Sequence, residues 1–378
     1  MRFFSIFWAD LALSCLAVAA VAQTSALNEP HLNQIQIIGT HNSYHAGIAP
    51  NEASLWKTKN AEAFKGLEYS HPSLTAQLDS GIRQIELDIF ADSQGGLFAN
   101  PAGPRMVAAA GLPADANFDP EGLMKKPGFK VLHMQDLDYR STCQPFVACL
   151  AEVRTWVKAH PAADPVFILV ETKQSKPIPG IQQVVPEAFT PAVFDALDAE
   201  IRSVFSTQEL ITPDQVRGPY KTLNQAVLAG NWPTLKSARS KVIFLMDQRP
   251  MGPVYLAGHP SLQGRVLFTN ATPGEPDAAF IERNDGPTEE IAQLVRQGYL
   301  VRTRTDSDTR EARANQTSRR DVMILSGAQM LSTDYPASEP APWEGHYKVE
   351  LPGAAAMRCN PVNAPAGCTL TPSGPSTH

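Results

Sequence analysis

The sequence predicts an α/β protein in which eight strand-and-helix units close a parallel barrel. Short apolar runs of strand length recur eight times along the 378 residues, and helix-like segments lie between most of them. Hydrophobic residues make up 43% of the chain, a fraction too high for a disordered protein. The alternative is an open doubly wound sheet. That fold normally has a glycine-rich turn after the first strand, and this chain has none there.

The predicted strands and helices follow from the spacing of the apolar residues. Strands are expected over residues 35–38, 82–90, 130–133, 166–171, 242–246, 266–268, 299–302 and 329–331. Helices are expected over residues 72–80, 146–158, 288–297 and 318–325, with one more around 194–204. Residues 92–128 are rich in glycine, proline and alanine, which predicts a long loop after the second strand.

The ends of the chain indicate an exported protein. Residues 1–22 have the pattern of a secretory signal, with a basic start, a short apolar stretch and small residues before a cut near Ala22. We therefore expect a secreted or periplasmic protein, with a barrel over residues 23–340 and a proline-rich tail over 341–378.

Four cysteines lie beyond the predicted signal, and an even number in an exported chain favours disulfide bonds. Three pairings are open, and we expect the two local ones, Cys143–Cys149 and Cys359–Cys368. Zinc is the alternative, but no Cys-x-x-Cys spacing supports it. The formal net charge of −6 argues against a nucleic-acid partner.

Polar side chains end each of the first four predicted strands. They are His41 and Asn42, Glu86 and Asp88, His133, and Glu171. Glu86 and Asp88 are two residues apart and therefore share one face of their strand. In a parallel barrel the carboxyl ends of the strands converge on one mouth, where active sites lie. The sequence therefore predicts that these six residues meet.

Three carboxylates at such a mouth cannot all remain ionised without a cation. Asn42 adds a neutral oxygen, and an all-oxygen ligand set favours Ca²⁺ or Mg²⁺ over zinc. The two histidines would then be free to transfer protons. The alternative is that each acid pairs with an arginine, such as Arg83 or Arg304. That is the better interpretation for any one acid, but polar ends on four successive strands favour a site.

These residues stand in motifs that resemble phosphoinositide-specific phospholipase C. The motifs are IIGTHNSY at 37–44, IELD at 85–88, VLH at 131–133 and FILVE at 167–171. Two later motifs, VRTRTD at 301–306 and LSTDYP at 331–336, are similar to the calcium-dependent bacterial branch of that family. The resemblance covers roughly residues 33–340. It implies a distorted TIM (β/α)8 barrel of the phospholipase C-like phosphodiesterase type.

The resemblance also implies roles for individual residues. His41 and His133 would be the catalytic pair, and the ligands of Ca²⁺ would be Asn42, Glu86, Asp88 and Glu171. Metal-independent bacterial relatives have an arginine in place of the cation, whereas both acids of IELD are kept here. For the substrate, Lys173 and Arg304 would contact phosphate, and Asp334 would orient His41.

The implied reaction is cleavage of phosphatidylinositol-type lipids to diacylglycerol and inositol (cyclic) phosphate. The expected partner is a phospholipid or another phosphodiester, with transient contact to a membrane surface. A glycerophosphodiester phosphodiesterase is the nearest alternative, but such enzymes usually have His-Arg-Gly after the first strand, where this chain has His41-Asn42-Ser43. A glycosidase would leave both histidines unexplained. A non-catalytic barrel that binds calcium or lipid would be expected to have lost the histidine pair.

Overall fold

A computed structural model describes residues 29–370 of the chain. Its strands are β1 (Ile35–Thr40), β2 (Gln84–Phe90), β3 (Lys130–Val131), β4 (Val166–Thr172), β5 (Leu210–Ile211), β6 (Val242–Met246), β7 (Leu267–Phe268), β8 (Phe280–Glu282), β9 (Leu300–Arg304), β10 (Met330–Thr333) and β11 (Met357–Cys359). Its α-helices are α1 (Pro50–Lys65), α2 (Leu74–Asp79), α3 (Ala102–Ala109), α4 (Phe146–Ala159), α5 (Pro191–Val204), α6 (Pro213–Arg217), α7 (Leu223–Leu228), α8 (Leu235–Ala238), α9 (Gly252–Tyr255), α10 (Thr288–Arg296), α11 (Arg310–Arg313) and α12 (Ser318–Leu325).

Eight parallel strands form the barrel, as predicted. Around the ring they follow the order β1, β2, β4, β6, β7, β8, β9 and β10, and β10 pairs again with β1. At the seam between β7 and β8 the strand pairing is reduced to an isolated parallel bridge between Asn270 and Phe280, with a further hydrogen bond from the Glu282 amide to Oδ1 of Asn270. Residues of the barrel strands are almost all buried, since one face fills the interior and the other packs under helices. The barrel is therefore distorted at one seam.

One of the eight predicted strands was wrong. Residues 130–133 were expected as a parallel barrel strand, but β3 is two residues long and runs antiparallel to β2, and β4 pairs directly with β2. The segment 92–128 leaves the carboxyl end of β2 and returns at that same end, so the chain after it must run in the opposite direction. The barrel strand missing from the prediction is β8, which has only three residues.

The segment 92–128 contains more structure than the predicted loop. It includes α3 and contributes to a second, small hydrophobic core over the carboxyl end of β2. The buried members of this core are Phe90, Phe98, Met124, Leu132 and Tyr139. This core supports the chain on both sides of His133.

The predicted helices are confirmed with small shifts at their ends. In α4, Phe146, Leu150, Val153 and Val157 are buried, as their spacing predicted. The helix expected over 72–80 is α2, which begins after Ser73, whose side chain accepts a hydrogen bond from the Ala76 amide. Helices α10 and α12 match their predicted ranges to within one residue.

Residues after the barrel lie against its first strand. Strand β11 pairs antiparallel with β1, and the disulfide Cys359–Cys368 closes the segment that follows. The second disulfide joins Cys143 to Cys149, so both predicted pairings are confirmed. The predicted signal, residues 1–22, lies outside the described residues. Within residues 29–370 every helix is too short or too polar to cross a bilayer.

Candidate active site

The carboxyl ends of the barrel strands surround a cavity of about 560 Å³. Its lining includes His41, Tyr69, His133, Arg304 and Asp334. These residues come from segments far apart in the chain, because parallel strands bring their carboxyl ends to one edge. The structure thus places both predicted histidines at one opening, together with two of the three predicted substrate contacts.

The three predicted acidic ligands lie together beside this cavity. Glu86, Asp88 and Glu171 each offer an oxygen atom, and these atoms lie within 4.8 Å of one another. Asp88 and Glu171 stand opposite each other in the register of β2 and β4, which fixes their separation. Among the described residues, no hydrogen-bond donor contacts Oδ1 of Asp88, although this oxygen is buried. A buried carboxylate oxygen that lacks a hydrogen-bond donor needs another partner, and in a cluster of three acids a metal ion can be that partner.

Two cations already contact this acidic set. Nζ of Lys173 lies 3.0 Å from Oδ2 of Asp88 and 3.0 Å from Oε1 of Glu171. Nη2 of Arg302 lies 2.5 Å from Oε2 of Glu86. Burial still raises the pKa of both Glu86 and Asp88 to about 7. The charge of the set is therefore only partly offset, and a divalent cation bound to these oxygens fits the site.

Asn42, the predicted neutral ligand, is the second residue after β1 and has a left-handed backbone with φ of 46°. Its Nδ2 donates a hydrogen bond of 2.7 Å to the hydroxyl of Tyr69, which fixes the amide. Within residues 29–370 its Oδ1 accepts a single, long hydrogen bond of 3.4 Å from the hydroxyl of Tyr44. Asparagine tolerates this conformation better than most residues, so the sequence suits the turn. The amide oxygen remains free to take a stronger ligand.

His41 is held by a carboxylate and surrounded by positive charge. Its Nδ1 lies 2.8 Å from Oδ1 of Asp334, and Nη2 of Arg304 lies 3.3 Å from the same nitrogen. Its Nε2 lies 3.7 Å from Oε1 of Glu86. Burial, together with the charges of Arg304 and Arg302, holds the pKa of His41 well below its usual range. The imidazole is therefore neutral near pH 7, with a hydrogen bond to Asp334 that leaves Nε2 unprotonated.

His133 has a comparable carboxylate partner, which the sequence analysis missed. Its Nδ1 lies 2.8 Å from Oδ2 of Asp138. Asp138 is buried and also contacts Nε2 of a third histidine, His45, at 2.9 Å and 3.0 Å. Although burial opposes it, the two imidazoles hold the pKa of Asp138 well below its usual range. The sequence could have indicated this cluster, because its members lie close to the predicted histidines: Asp138 follows His133 by five residues and His45 follows His41 by four.

Arg302 is the other residue that sequence reasoning did not assign. Besides Glu86, it contacts Glu282, Asn284 and Ser332. Arg302 and Arg304 are two apart on β9, so they share the inner face of the barrel just as Glu86 and Asp88 do. This two-residue spacing could have identified Arg302 from the sequence as a residue facing the barrel interior.

The chain also matches a known protein family. The family model for Ca²⁺-dependent phosphoinositide phospholipase C matches residues 31–361, and the chain therefore belongs to that family. The predicted class of enzyme, a calcium-dependent phosphodiesterase, is thereby confirmed over the alternatives considered above.

Solved structures show the same fold. The calcium-dependent phosphoinositol-specific phospholipase C of Pseudomonas sp. matches with a TM-score of 0.54 and 16% identity, over 89% of this chain and 97% of that one. The Ca²⁺-dependent phosphatidylinositol-specific phospholipase C of Streptomyces antibioticus matches with a TM-score of 0.51 and 18% identity, over 81% and 95% of the two chains. A search of curated proteins finds no match.

Proposed function

We propose that the protein cleaves phosphatidylinositol-type lipids by attack of the inositol 2-hydroxyl on the neighbouring phosphorus. Diacylglycerol would leave and inositol 1,2-cyclic phosphate would form, which water can open in a second step. The observation that carries this proposal is the pair of histidines. Each has Nδ1 on a buried carboxylate, and both belong to one mouth beside a three-carboxylate cluster.

The proposed ligands of Ca²⁺ are Asn42, Glu86, Asp88 and Glu171. When bound, the ion would supply positive charge to the phosphoryl oxygen and the attacking hydroxyl. The unpartnered Oδ1 of Asp88 supports this assignment.

The two histidines have separate tasks in this proposal. Neutral His41 accepts the proton of the 2-hydroxyl at Nε2, and Asp334 stabilises the positive charge that results. His133 donates a proton from Nε2 to the diacylglycerol oxygen as its bond to phosphorus breaks. Asp138 holds His133 through Nδ1, which directs Nε2 away from that carboxylate. In the second step the two histidines exchange roles.

Two cationic side chains are proposed to contact the phosphoryl group. Arg304 lines the cavity next to His41, and its Nε is buried without a hydrogen-bond partner among the described residues. Lys173 contacts Asp88 and Glu171 in this structure, so contact with phosphate requires its ammonium to turn from these acids. Arg304 is the better supported of the two.

The proposal is tested by analysing products from phosphatidylinositol vesicles while Ca²⁺ is titrated, with EDTA as the metal-free arm. Inositol cyclic phosphate should appear before inositol phosphate, and EDTA should abolish both. Release of the acyclic product with no cyclic species trapped would contradict attack by the 2-hydroxyl. Glycerophosphocholine is the matched control substrate, since it lacks the inositol hydroxyl. Its efficient cleavage would favour the glycerophosphodiesterase alternative.

We also propose that the protein is exported, with a catalytic barrel over residues 23–340 and a tail over 341–378. The two disulfide bonds support export, because such bonds persist in oxidising compartments. Amino-terminal sequencing of the mature protein should begin near Gln23. Because the substrate lies in a bilayer, we further propose transient contact with a membrane surface.

A further inference from the structure

His45 is a buried histidine to which the reaction proposed above gives no task. Its side chain has no exposed surface, and its Nε2 lies 2.9 Å and 3.0 Å from the two carboxylate oxygens of Asp138. Asp138 is equally buried, and its Oδ2 lies 2.8 Å from Nδ1 of His133. His133 lines the cavity, whereas His45 does not. The three side chains therefore form a chain of contacts that runs from the protein interior to the mouth.

The fold holds His45 firmly beside the loop that follows β3. His45 forms an isolated antiparallel bridge with Ser141 of that loop, and its carbonyl accepts a hydrogen bond of 2.8 Å from the amide of His71. Its ring packs against the ring of Tyr69, with the two centroids 4.6 Å apart. The imidazole has little freedom to turn, so it can serve as a fixed donor to Asp138.

The local turn fixes the backbone of Asp138 but not its carboxylate. The amide of Asp138 donates to the carbonyl of Met134 at 3.0 Å, and the amide of Met134 donates back at 2.8 Å. Neither bond restrains rotation of the carboxylate about its side-chain torsions. Within residues 29–370, the two imidazoles are the donors that contact this carboxylate. Since the ring of His133 is partly exposed, the buried contact with His45 is the one that can hold the carboxylate in place.

We infer that His45 is a positioning residue for the general acid: it holds the carboxylate of Asp138, which in turn directs Nε2 of His133 at the leaving oxygen. The inference rests on the proposed function, because it requires His133 to give a proton to the diacylglycerol oxygen. The alternative is that His45 stabilises the interior beneath the mouth and has no effect on proton transfer. A positioning residue affects the step in which the acid gives up its proton, whereas a purely structural residue affects all substrates alike.

The test compares two leaving groups in the presence of Ca²⁺. Phosphatidylinositol releases an alkoxide that needs a proton, whereas the nitrophenyl ester of inositol 1-phosphate releases a phenolate that leaves without one. His45→Asn is polar but too short to reach Asp138, whereas His45→Gln places its amide nitrogen near the position of Nε2. In His45→Asn, kcat on phosphatidylinositol should fall about 10-fold or more, with KM within about two-fold of the wild type. Its kcat on the nitrophenyl ester should stay within about three-fold. His45→Gln should restore most of the activity on phosphatidylinositol.

Tyr255→Phe is the matched control, because it also removes a donor to a buried carboxylate. The hydroxyl of Tyr255 donates to Oδ1 of Asp198 at 2.7 Å, at the amino end of β7 and away from the mouth. Turnover of both substrates by this control should stay within about two-fold of the wild type. His45→Leu, which keeps most of the volume without a donor, repeats the comparison if His45→Asn does not fold.

Nuclear magnetic resonance measures the positioning itself. The proton between Nδ1 of His133 and Asp138 should resonate far downfield, and its loss in His133→Ala assigns the signal. In His45→Asn this signal should weaken or move upfield, and in His45→Gln it should return to its position in the wild type.

An equal loss of kcat on both substrates in His45→Asn would overturn the inference. Unchanged turnover of phosphatidylinositol, an unmoved proton signal, or a His45→Gln variant no better than His45→Asn would do the same. Failure of the wild type to cleave either substrate with Ca²⁺ would instead contradict the proposed function. An equal loss on both substrates in His133→Ala would also contradict it, because His133 would then not be the acid.

Discussion

The two histidines at the mouth make the same contact and have different surroundings. Each places Nδ1 2.8 Å from a buried carboxylate, Asp334 for His41 and Asp138 for His133. His41 lies beside Arg304 and Arg302, and its burial together with their charges lowers its pKa. His133 instead shares its carboxylate with a second imidazole, that of His45. The carboxylate partner fixes the tautomer of each ring, whereas the next neighbours set the charge around it.

The two pairs also depend on different parts of the fold. His41 follows β1 and Asp334 follows β10, so their contact exists only when these adjacent barrel strands pair. His133 and Asp138 are five residues apart in one loop, which is closed by a bridge between Met134 and Asp138. The contact between His41 and Asp334 therefore depends on closure of the barrel, whereas the contact between His133 and Asp138 depends on a local turn.

The largest expected effect on activity comes from removing His133, one of the two histidines. His133→Ala should lower turnover by about 10²-fold or more, because it removes a general acid. The affinity for Ca²⁺, measured by calorimetry, should be nearly unchanged, since His133 is not a proposed ligand. His259→Ala is the matched control, because the ring of that histidine hydrogen-bonds through Nδ1 to the carbonyl of Gln263 and does not line the cavity. A turnover near that of the wild type would remove His133 from the mechanism.

The two carboxylate partners, Asp138 and Asp334, should contribute differently to the stability of the fold. Asp138→Asn should destabilise the protein at pH 7 by roughly 2–3 kcal/mol, because the lowered pKa of Asp138 means that the fold favours its charge. Burial raises the pKa of Asp334, so Asp334→Asn should cost little or stabilise the fold. Both variants should lose activity, since each histidine loses its orienting acceptor. Urea unfolding at pH 7 gives the comparison, and equal destabilisation would contradict it.

The acidic cluster predicts a dependence on pH and calcium. Because burial raises the pKa of Asp88 to about 7, the folded protein keeps a proton that the unfolded chain has released. The stability that Asp88 contributes in EDTA therefore falls as pH rises from about 4 to about 7, by about 1 kcal/mol or more. Asp88→Asn should show a weaker loss over this range and should bind Ca²⁺ at least about 10-fold more weakly. Thermal unfolding with and without Ca²⁺ checks both effects. Unchanged metal dependence would remove Asp88 from the site.

The smallest expected effect concerns the charge next to His41. Arg304→Met removes a positive neighbour, so the pKa of His41 should rise and the acid limb of kcat/KM should move to higher pH. A shift of about half to one pH unit is expected for one charge at this distance. Arg304→Lys keeps the positive charge, so the acid limb of kcat/KM should return to its wild-type pH even if KM stays higher than in the wild type. If the acid limb does not move in Arg304→Met, the limb reflects the titration of a group other than His41.

Sequence patterns predicted the strands with continuous apolar runs, but they missed β8 and gave residues 130–133 the wrong place in the sheet. Five uninterrupted apolar residues make β6 recognisable, and the helical spacing in α4 did the same for that helix. Strand β8 has three residues, and its pairing with β9 defines it rather than its composition. Residues 130–133 have strand-like composition, yet the direction in which the chain returns to the mouth makes β3 antiparallel.

The sequence by itself determined which groups stand at the carboxyl ends of the strands, because alternation along a strand and the direction of parallel strands are local rules. These rules alone place His41, Glu86 and Glu171 at one mouth. Only the tertiary structure decided which charges surround each group. Arg302 reaches Glu86 across the barrel, and Asp138 is shared by two histidines. Electrostatic energy depends on distances between residues remote in the chain, and those distances exist only after the barrel has closed.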